Sequence, residues 1–564
     1  MLQATANSNR LLIEAEKIAR DFELDALNIA RTTQSLHEWL QTELRHNGSA
    51  QIPTFVSKVP DGTEKGIYLA VDLGGTNCRV SLIHLHGDAT YTITQAKDTI
   101  PKELMVNSSH EPLFDFIAGN IARFMEDHAE EMTHVEINSN PQPTQGHYFK
   151  LGFTFSFTFT NTCLERGTLL QWDKGWDIPD ALGKDPSQML QSAIDRLSLP
   201  VRVAAITSDS VGTLLARSYS SLWRSSTLLG AIFGTGTNAA YVERRENVLK
   251  LAGSSTGARA DTAPGQELMV INTEWGGWCD DEPAALGTVV QFDTLLDQSS
   301  SNPTKQLLEK RVSGLYLGEI VRLVILHLLD QGLFDMKPNE PSSPVFIPYG
   351  IDTSFLARLA DDPDEVYEAA KQTIARYAGV TQVSINDARA VRLIAKAVVQ
   401  RSGRLAGAAM AAIILQSGRL SSSCNRCTTK VKGSSDVVSQ DEDIERSTRT
   451  RMHNKPRNLC ALVTALFNGI AHRIRSLYTK PLDYSSQATE SIFSPSSDTA
   501  DTPQVVDIGV EGSLFESYPN FEHYIRGALR DIPGIGVEGE KLISIGVADH
   551  GSSLGAALAA QSAG

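Results

Sequence analysis

Two glycine-rich turns are the features of this sequence whose residue types and spacing could hold a phosphate. The first is DLGGT at residues 72–76, the second is GTGTN at residues 234–238, and each follows an apolar run. Because glycine has no Cβ, backbone N–H groups can close around a phosphate there, and a threonine hydroxyl adds a donor. Each turn alone is equally compatible with a tight hairpin. The chain contains no GxxxxGK[ST], which excludes a phosphate loop of the Walker type.

The segments that flank these turns predict the strands that would position them. An apolar run at residues 67–71 precedes the first turn, and apolar residues alternate again after it, through Val80 and Leu82. This pattern predicts a β-hairpin with a glycine corner. Residues 228–243 repeat the design. The repetition predicts a duplicated nucleotide-binding architecture.

Other elements are predicted around the two hairpins. Residues 146–159 alternate as a strand, and residues 201–215 read as a buried strand that runs into a helix. Apolar residues at three- and four-residue spacing predict a helix at residues 9–46. Residues 112–132 also read as a helix, residues 313–329 as a strongly apolar core helix, and residues 402–420 as a helix of small residues.

The character of the sequence changes at residue 421. Residues 421–504 are polar, rich in serine and threonine, and offer little to bury, so we predict a largely flexible insertion with one amphipathic helical pattern at 459–478. Cys424 and Cys427 have the spacing of half a zinc site or of a redox pair, but no second such pair stands nearby. The basic run at 446–457 is compatible with a nuclear-import patch and with a solvated loop.

Length and composition restrict the class of function. A chain of 564 residues is too long for one compact core, so two or more packed units are expected. The net charge of −15 disfavours broad contact with nucleic-acid phosphates or anionic lipid. Six cysteines are too few for a disulfide scaffold and indicate a reducing compartment. With neither a secretory signal nor an apolar window of about 20 residues in view, we expect a cytoplasmic protein, with a nuclear location as the alternative.

In their order along the chain, the two turns resemble the phosphate elements of the actin-like ATPase superfamily, and the segments around them resemble hexokinases. The resemblance covers nearly the whole chain outside the insertion. It implies an α/β fold, the two-lobed actin-like ATPase (hexokinase) fold, with mixed sheets flanked by helices and an interlobe cleft. The segments that carry it are LGFTFSF (151–157), GTLLQWDKGW (167–176), SDSVGTL (208–214), INTEWGG (271–277), KQLLEKRVSGLYLGEIVRL (305–323), GVEGSLFESYPNF (509–521) and GVADHGSSLGAAL (546–558).

The resemblance also implies a division of the chain. Residues 1–62 would be an N-terminal helical segment that packs on the large lobe. The small lobe would be 63–208 together with the C-terminal helix at 551–564. The large lobe would be 209–550, interrupted by the insertion at 421–504.

ATP-dependent phosphorylation of a hexose at the 6-hydroxyl is the activity that the resemblance implies. Mg²⁺ would be held mainly through the nucleotide, without a dedicated protein metal site. Asp209 matches the family's catalytic base, which accepts the hydroxyl proton, and Lys174 matches a lysine near the transferring group. The sugar-binding positions are Thr160, Asp173, Lys174, Ser208, Asp209, Asn238, Glu274, Gln306 and Glu309. The nucleotide-binding positions are Asp72, Gly74, Gly75, Thr76, Asn77, Arg79, Gly234, Thr235, Gly236, Gly512, Ser513, Gly551 and Ser552.

Several of these residues also have a purely structural interpretation. Asp209 could be a helix N-cap, and Glu309 could be a solvated helix residue. Aromatic side chains near a sugar ring often wall the pocket, but core packing explains them equally well. The residues concerned are Trp172, Trp176, Trp275 and Trp278.

The sequence departs from the hexokinase pattern at both ligand sites. Ser208 replaces an asparagine and so lacks the amide's paired donor and acceptor, and Asp173 replaces a threonine and adds a carboxylate beside Lys174. Losing one ligand hydrogen bond costs about 1–3 kcal/mol. The two changes together therefore predict weaker transition-state binding, by roughly two to four powers of ten. The other departures are Thr158 for proline, Thr304 for glycine, Glu511 and His550 for aspartates, and Leu554 for lysine or alanine.

These departures leave two functions open. The first is an ATP-dependent hexose kinase whose activity is reduced by Ser208 and Asp173. The second is a weakly active or inactive regulatory protein that senses sugar or carbon status, in the manner of the atypical fungal hexokinase-like proteins. A regulatory partner would then bind through residues 421–504.

Overall fold

The computed structural model describes nine ranges of the chain. All of them belong to one compact unit, which comprises Met1–Arg426 and Pro503–Gly564. Lys174 and the predicted insertion at 421–504, including both of its cysteines, lie outside the described residues. The described ranges are 2–132 (side chains from residue 9), 148–173, 175–223, 226–251, 267–287, 289–339, 341–360, 367–420 and 505–563.

This unit contains both helices and strands. The helices are α1 Leu2–Asp21, α2 Ala26–Glu43, α3 Lys102–Met105, α4 Glu111–Asp127, α5 Pro186–Arg196, α6 Asp209–Ser220, α7 Gln291–Ser299, α8 Glu309–Val312, α9 Gly314–Asp330, α10 Thr353–Ala360, α11 Glu368–Tyr377, α12 Ile385–Ser417, α13 Ser513–Ser517, α14 Phe521–Asp531, α15 Gly536–Glu540 and α16 Gly551–Ser562. The strands are β1 Ile52–Pro53, β2 Lys65–Leu73, β3 Asn77–His86, β4 Tyr91–Thr99, β5 Phe149–Phe155, β6 Thr158–Cys163, β7 Arg166–Gln171, β8 Val201–Thr207, β9 Thr227–Phe233, β10 Thr237–Arg244, β11 Leu268–Asn272, β12 Lys337–Pro338, β13 Val380–Thr381, β14 Val506–Glu511 and β15 Ile543–Val547.

The first large sheet has the strand order β4-β3-β2-β5-β8. Strands β2 and β3 form an antiparallel hairpin, whereas β5 and β8 add to it in parallel. The hairpin confirms the predicted strand–turn–strand unit, with the DLGGT turn at its corner. Because β2, β5 and β8 run parallel, the residues that follow β5 and β8 emerge at the same edge as that turn.

The second large sheet has the order β1-β11-β10-β9-β14-β15. Its centre repeats the design, since β9 and β10 form an antiparallel hairpin around the GTGTN turn and β14 runs parallel to β9. Both sheets are mixed and flanked by helices, as the predicted fold class requires. The second turn and the end of β14 therefore lie at one edge of this sheet.

Helices α6 and α16 pack against each other and against both sheets. Alanines and glycines make this possible: a Cβ on Gly555 would lie 2.1 Å from the Cα of Gly212, and a Cβ on Gly152 would lie 2.0 Å from the carbonyl oxygen of Ala556. Neighbouring apolar side chains, among them Leu214 and Leu554, form a buried cluster separate from those of the two sheets. The predicted lobe boundaries, 63–208 with 551–564 and 209–550, stay a prediction.

Two helical predictions differ from the structure. The single helix expected at 9–46 is two helices, because the chain turns at residues 22–25 and Asp25 then caps α2 by accepting a hydrogen bond from the Asn28 N–H at 2.7 Å. The helix expected at 402–420 is the second half of the 33-residue α12. That helix starts at a capping box formed by Ser384 and Asp387 and ends at Gly418, whose φ is 64°.

Helix α12 also corrects the expectation that no segment approaches the apolar length of a membrane span. By length and composition alone it could cross a bilayer, and it is the one helix in the described ranges that could. Most of its apolar stretch, however, is buried inside the protein. It packs against α1, α2 and α14 as a core helix.

Candidate active site

Asp209 is the first residue of α6, directly after β8. The N-cap of this helix is Ser208, whose hydroxyl accepts a hydrogen bond from the Val211 N–H at 3.5 Å. The alternative in which Asp209 caps the helix is therefore wrong. The Asp209 carboxylate instead accepts from the Ser210 N–H at 2.7 Å and remains half-buried beside the positive end of the helix dipole.

Glu274 lies just after β11, on the other sheet. Its Oε1 atom accepts hydrogen bonds from the Nδ2 atoms of Asn272, at 2.8 Å, and Asn238, at 3.1 Å. The Asn238 Oδ1 atom accepts the Glu274 N–H at 3.1 Å, which holds this residue at its left-handed φ of 51°. Sequence reasoning missed Asn272, although it stands inside the INTEWGG segment. The network fixes the Glu274 carboxylate at the edge of the sheet.

Glu309 starts the short helix α8 and joins it to the second glycine turn. Its Oε2 atom accepts the backbone N–H of Thr237 at 3.0 Å, so the interpretation as a solvated helix residue is wrong. Gln306 adopts a left-handed φ of 58°, and its N–H donates to Asp280 at 3.1 Å. Asp280 is a further residue that the sequence did not single out. It orients the loop that carries Gln306 to Glu309.

The charges of four acidic residues meet here, and we call Asp173, Asp209, Glu274 and Glu309 the cleft carboxylates. Burial, together with the negative charges of the other three, raises the pKa of Glu274 to about 7, against the lowering effect of the hydrogen bond from Asn272. Asp173 follows β7 and Asp209 follows β8, whereas Glu274 and Glu309 belong to the second half of the chain. The structure thus brings three of these predicted residues within electrostatic reach of the fourth, Glu274.

Asp173 is held by two side chains. The Thr158 hydroxyl donates to its Oδ2 atom at 3.2 Å, and the Gln171 Nε2 atom donates to its Oδ1 atom at 2.8 Å. Thr158 and Asp173 are both departures from the hexokinase pattern, and they contact each other. Thr160, two residues further along β6, forms no described hydrogen bond with the cleft carboxylates.

The first glycine turn presents free donors. Gly74 donates to the Asn77 carbonyl at 3.0 Å, and the Trp176 indole donates to the Gly75 carbonyl at 2.9 Å, which holds the turn closed. The N–H groups of Gly75 and Thr76 have no partner among the described residues. At its base the Arg79 guanidinium pairs with Asp72 at 2.7 Å. The turn therefore presents two backbone N–H donors, of Gly75 and Thr76, beside the Asp72 carboxylate, whose charge is balanced by Arg79.

The second turn has the same form. Gly234 donates to the Gly236 carbonyl at 3.0 Å, and the Thr235 and Gly236 N–H groups lack partners within the described ranges. Gly512 packs against this turn with a φ of 124°, and a Cβ there would lie 2.5 Å from the Phe233 carbonyl carbon. Ser513 then begins α13. Glycine is thus required at 512 for the end of β14 to approach the turn.

Glu511 connects the two halves of the site. Its Oε2 atom accepts the Thr213 hydroxyl at 3.1 Å and lies close to Gly551, at the start of α16. Burial, together with the charges of Asp209 and Asp72, raises the pKa of Glu511 to about 8. The neighbouring cavity, of about 250 Å³, is lined by Asp72, Arg79, Gln95, Glu511, Glu516, Val547, Ala548, Asp549, His550, Ser552 and Ser553.

The tryptophans belong mainly to the core. The rings of Trp172 and Trp176 stack at 5.5 Å between centroids and pack on Phe157, with 9 % and 5 % of their surfaces exposed. Trp275 is buried and donates to the Thr237 hydroxyl at 3.2 Å. Of the two interpretations, core packing fits these three residues. Trp176 and Trp275 nevertheless support the glycine turns through their indole N–H groups.

Family models described as hexokinase match residues 14–219, and then residues 228–452 and 457–562. This chain belongs to the hexokinase family. The match to the hexokinase model continues through much of 421–504, the segment predicted to be an insertion. Membership makes the chain a phosphotransferase of the sugar-kinase class, and the hexokinase fold predicted from the motifs is confirmed.

Individual hexokinases and glucokinases resemble the whole chain. A glucokinase of Aspergillus niger is 37 % identical, over 98 % of this chain and 97 % of its own length. Hexokinase-2 of Schizosaccharomyces pombe is 30 % identical, over 97 % and 96 %. The structure of the hexokinase from Schistosoma mansoni complexed with glucose superposes with a TM-score of 0.72 at 26 % identity, and the match covers 98 % of this chain and 99 % of that one.

Proposed function

We propose that this protein transfers the γ-phosphoryl group of MgATP to the 6-hydroxyl of a hexose, with Asp209 as the general base. One observation carries the proposal. The Thr213 hydroxyl donates both to the Asp209 carbonyl at 3.0 Å and to Glu511, beside the proposed phosphate position, at 3.1 Å. Ser210, the residue after Asp209, donates to Asn272 at 3.3 Å, and Asn272 donates to Glu274, beside the proposed sugar position, at 2.8 Å. Asp209 would therefore lie between the two ligands, where the acceptor hydroxyl loses its proton as the phosphoryl group arrives.

Three cleft carboxylates would bind the sugar. Glu274, Glu309 and Asp209 present acceptor oxygens, and a hexose offers a hydroxyl donor for each of them. Such a site selects against analogues that lack a hydroxyl, because a buried acceptor is then left without a partner. Glucose is the hexose to test first, because relatives named glucokinase and a structural neighbour complexed with glucose resemble the whole chain.

The two glycine turns would bind the phosphates of the nucleotide. Four backbone N–H groups, of Gly75, Thr76, Thr235 and Gly236, have no partner in the part of the chain that the structure describes. The start of the twelve-residue helix α16 adds a positive dipole end at Gly551 and Ser552. These donors fit a polyphosphate and require no Walker lysine.

Magnesium would enter with the nucleotide as part of the substrate. The described residues hold no group of three or more histidine, cysteine, aspartate or glutamate side chains arranged around one point. Asp72 already pairs with Arg79, and burial raises the pKa of Glu511 to about 8, which favours its neutral form. These residues fit a metal that is coordinated mainly by phosphate oxygens, where it neutralises charge during transfer.

The test is a coupled assay of ADP release with glucose, fructose, mannose and glucosamine at high enzyme concentration. Asp209→Asn should lower kcat/KM by about 10²–10⁴, the usual contribution of a general base. Asp195→Asn, which removes an exposed carboxylate on α5, is the matched control and should leave the rate unchanged. A sugar-dependent rate that survives in Asp209→Asn would exclude Asp209 as the base.

A second candidate, a hexokinase-like regulator with little turnover, is favoured by Ser208. Serine has no side-chain amide to offer the sugar. Its hydroxyl already forms hydrogen bonds with the Val211 N–H at 3.5 Å and with the Ser210 hydroxyl at 3.0 Å. This protein would bind sugar, signal through residues 421–504 to a cytoplasmic partner, and release no ADP. A glucose-dependent thermal shift without turnover on any sugar would support it, and turnover at an ordinary kinase rate would exclude it.

A further inference from the structure

We propose that Asn272 is a positioning residue, which orients the Glu274 carboxylate towards the sugar and connects that carboxylate to the start of the helix that carries Asp209. The inference rests on the proposed function, because it concerns how the same site holds its hexose. D-glucose is the probe, since its binding can be measured with and without turnover.

Asn272 is the last residue of β11, and both ends of its side-chain amide are bonded. Its Nδ2 atom donates to the Glu274 Oε1 atom at 2.8 Å. Its Oδ1 atom accepts hydrogen bonds from the Ser210 hydroxyl at 3.3 Å and from the Asn238 Nδ2 atom at 2.9 Å. Only 4 % of the residue's surface is exposed. The amide is therefore held in a single orientation inside the protein.

The hydroxyl groups at the start of α6 give this network a direction. The Ser208 hydroxyl accepts the Val211 N–H at 3.5 Å and lies 3.0 Å from the Ser210 hydroxyl. A hydroxyl has one hydrogen to donate, and that of Ser210 goes to Asn272, so the hydrogen between the two serines comes from Ser208. Each donor in this chain therefore points towards Glu274, which accepts at its end.

The two carboxylate oxygens of Glu274 have different partners. The Oε1 atom accepts hydrogen bonds from the Nδ2 atoms of both Asn272 and Asn238. No donor within the described ranges bonds to the Oε2 atom. A carboxylate oxygen that accepts nothing from the protein is the one that can accept from a sugar hydroxyl. The two amides therefore determine which oxygen is left for the ligand.

Ser210 joins this network to the proposed base. Its N–H donates to the Asp209 carboxylate at 2.7 Å, and its hydroxyl donates to Asn272 at 3.3 Å. Ser210 and Asn272 are both buried, so a bond lost between them is not simply replaced by a bond to bulk water. Removing the Asn272 amide should therefore loosen Glu274 directly and Asp209 only through Ser210.

The first experiment measures the Kd of D-glucose by calorimetry on the full-length protein, together with kcat and KM with MgATP. Asn272→Ala should weaken glucose binding about tenfold, because a hydrogen bond to a charged acceptor is worth about this factor or more. KM should rise in parallel, whereas kcat should change by less than about threefold, since Asp209 keeps its own bond to the Ser210 N–H. The strand should tolerate the change, because the backbone of residue 272 is paired on both sides, with Ile52 and with Ala240.

Asn247→Ala is the matched control. The Asn247 Nδ2 atom donates to the Glu243 Oε1 atom at 2.7 Å, near the other end of β10. The variant removes the same kind of bond, from an asparagine to a glutamate, away from the proposed sugar position. Glucose binding and KM should not change.

A double-mutant cycle distinguishes the orientation of Glu274 from a general effect on the fold. Glu274→Ala leaves no carboxylate to orient, so adding Asn272→Ala to it should lower kcat/KM by less than about threefold. A loss of about tenfold in that background would overturn the inference, and so would unchanged glucose binding in Asn272→Ala alone. If Asn272→Ala does not fold, Asn272→Ser provides a second route and should weaken glucose binding by a similar factor, since serine is too short to reach Glu274 but keeps a polar group in the buried network.

The outcomes also separate this inference from the proposed function. If glucose binds but no hexose is phosphorylated, the kinase activity fails, and the Kd of Asn272→Ala compared with that of Asn247→Ala still decides the role of Asn272. If the wild type does not bind glucose, the sugar site itself fails and the inference fails with it.

Discussion

At the scale of single residues, Ser208 performs a backbone role where the hexokinase pattern has an asparagine. Asparagine is an equally good N-cap, so Ser208→Asn should preserve α6 while it restores an amide beside Asp209. Asp173→Thr removes the added carboxylate. If these positions limit catalysis, the double variant should raise kcat/KM for glucose by one or more powers of ten in the coupled assay. An unchanged rate would show that the limit lies elsewhere.

A second prediction at this scale concerns the effect of Glu511 on stability. Its pKa of about 8 lies above the ordinary value of 4.5. Below pH 4.5 the carboxyl is neutral in the folded and the unfolded protein. As pH rises from 4.5 towards 8, the unfolded state loses the proton first, so the free energy of unfolding falls by up to about 1.4 kcal/mol per pH unit. Glu511→Gln should remove this slope in denaturant titrations across pH 5–8. The exposed control Glu538→Gln should keep it.

At the scale of elements, α6 and α16 set the position of the base. Gly212 on α6 faces Gly555 on α16 without room for a methyl group. Gly555→Ala should therefore push the helices apart, lower the free energy of unfolding by about 1–3 kcal/mol and reduce kcat/KM, because α6 starts at Asp209. Gly119→Ala on α4 is the control, since nothing lies within 4 Å of the added methyl group. It should be neutral or stabilising by up to about 1 kcal/mol.

The same scale shows which parts of the site the sequence could predict. The two glycine hairpins were predictable, because a strand, a turn and a strand are local in sequence. The bonds from Asn272 and Asn238 to Glu274 were not, because they depend on the register of β10 against β11. Either Ser208 or Asp209 could cap α6, because both residue types are good N-caps, and the sequence alone does not distinguish two adjacent candidates. Trp172 and Trp176 were ambiguous because only the packed sheet defines which side is the core.

At the scale of the whole molecule, the proposed sugar position draws on both sheets. Asp173 follows the β6–β7 hairpin, next to the first sheet, whereas Glu274 follows β11 of the second. A ligand held by both must couple their motions, since closing the site around the sugar excludes water from the phosphoryl transfer. A ligand held by one sheet would leave the other unaffected.

Amide hydrogen exchange distinguishes these cases. Glucose at a hundred times its Kd, if it binds the folded protein only, raises the free energy of unfolding by about 2.7 kcal/mol. Slower exchange is therefore expected at residues 154–160 of the first half and at 268–275 of the second. Glu274→Gln should weaken the protection at both segments together, whereas Glu538→Gln should leave it intact. Protection confined to 268–275 would mean that the sugar does not bridge the sheets.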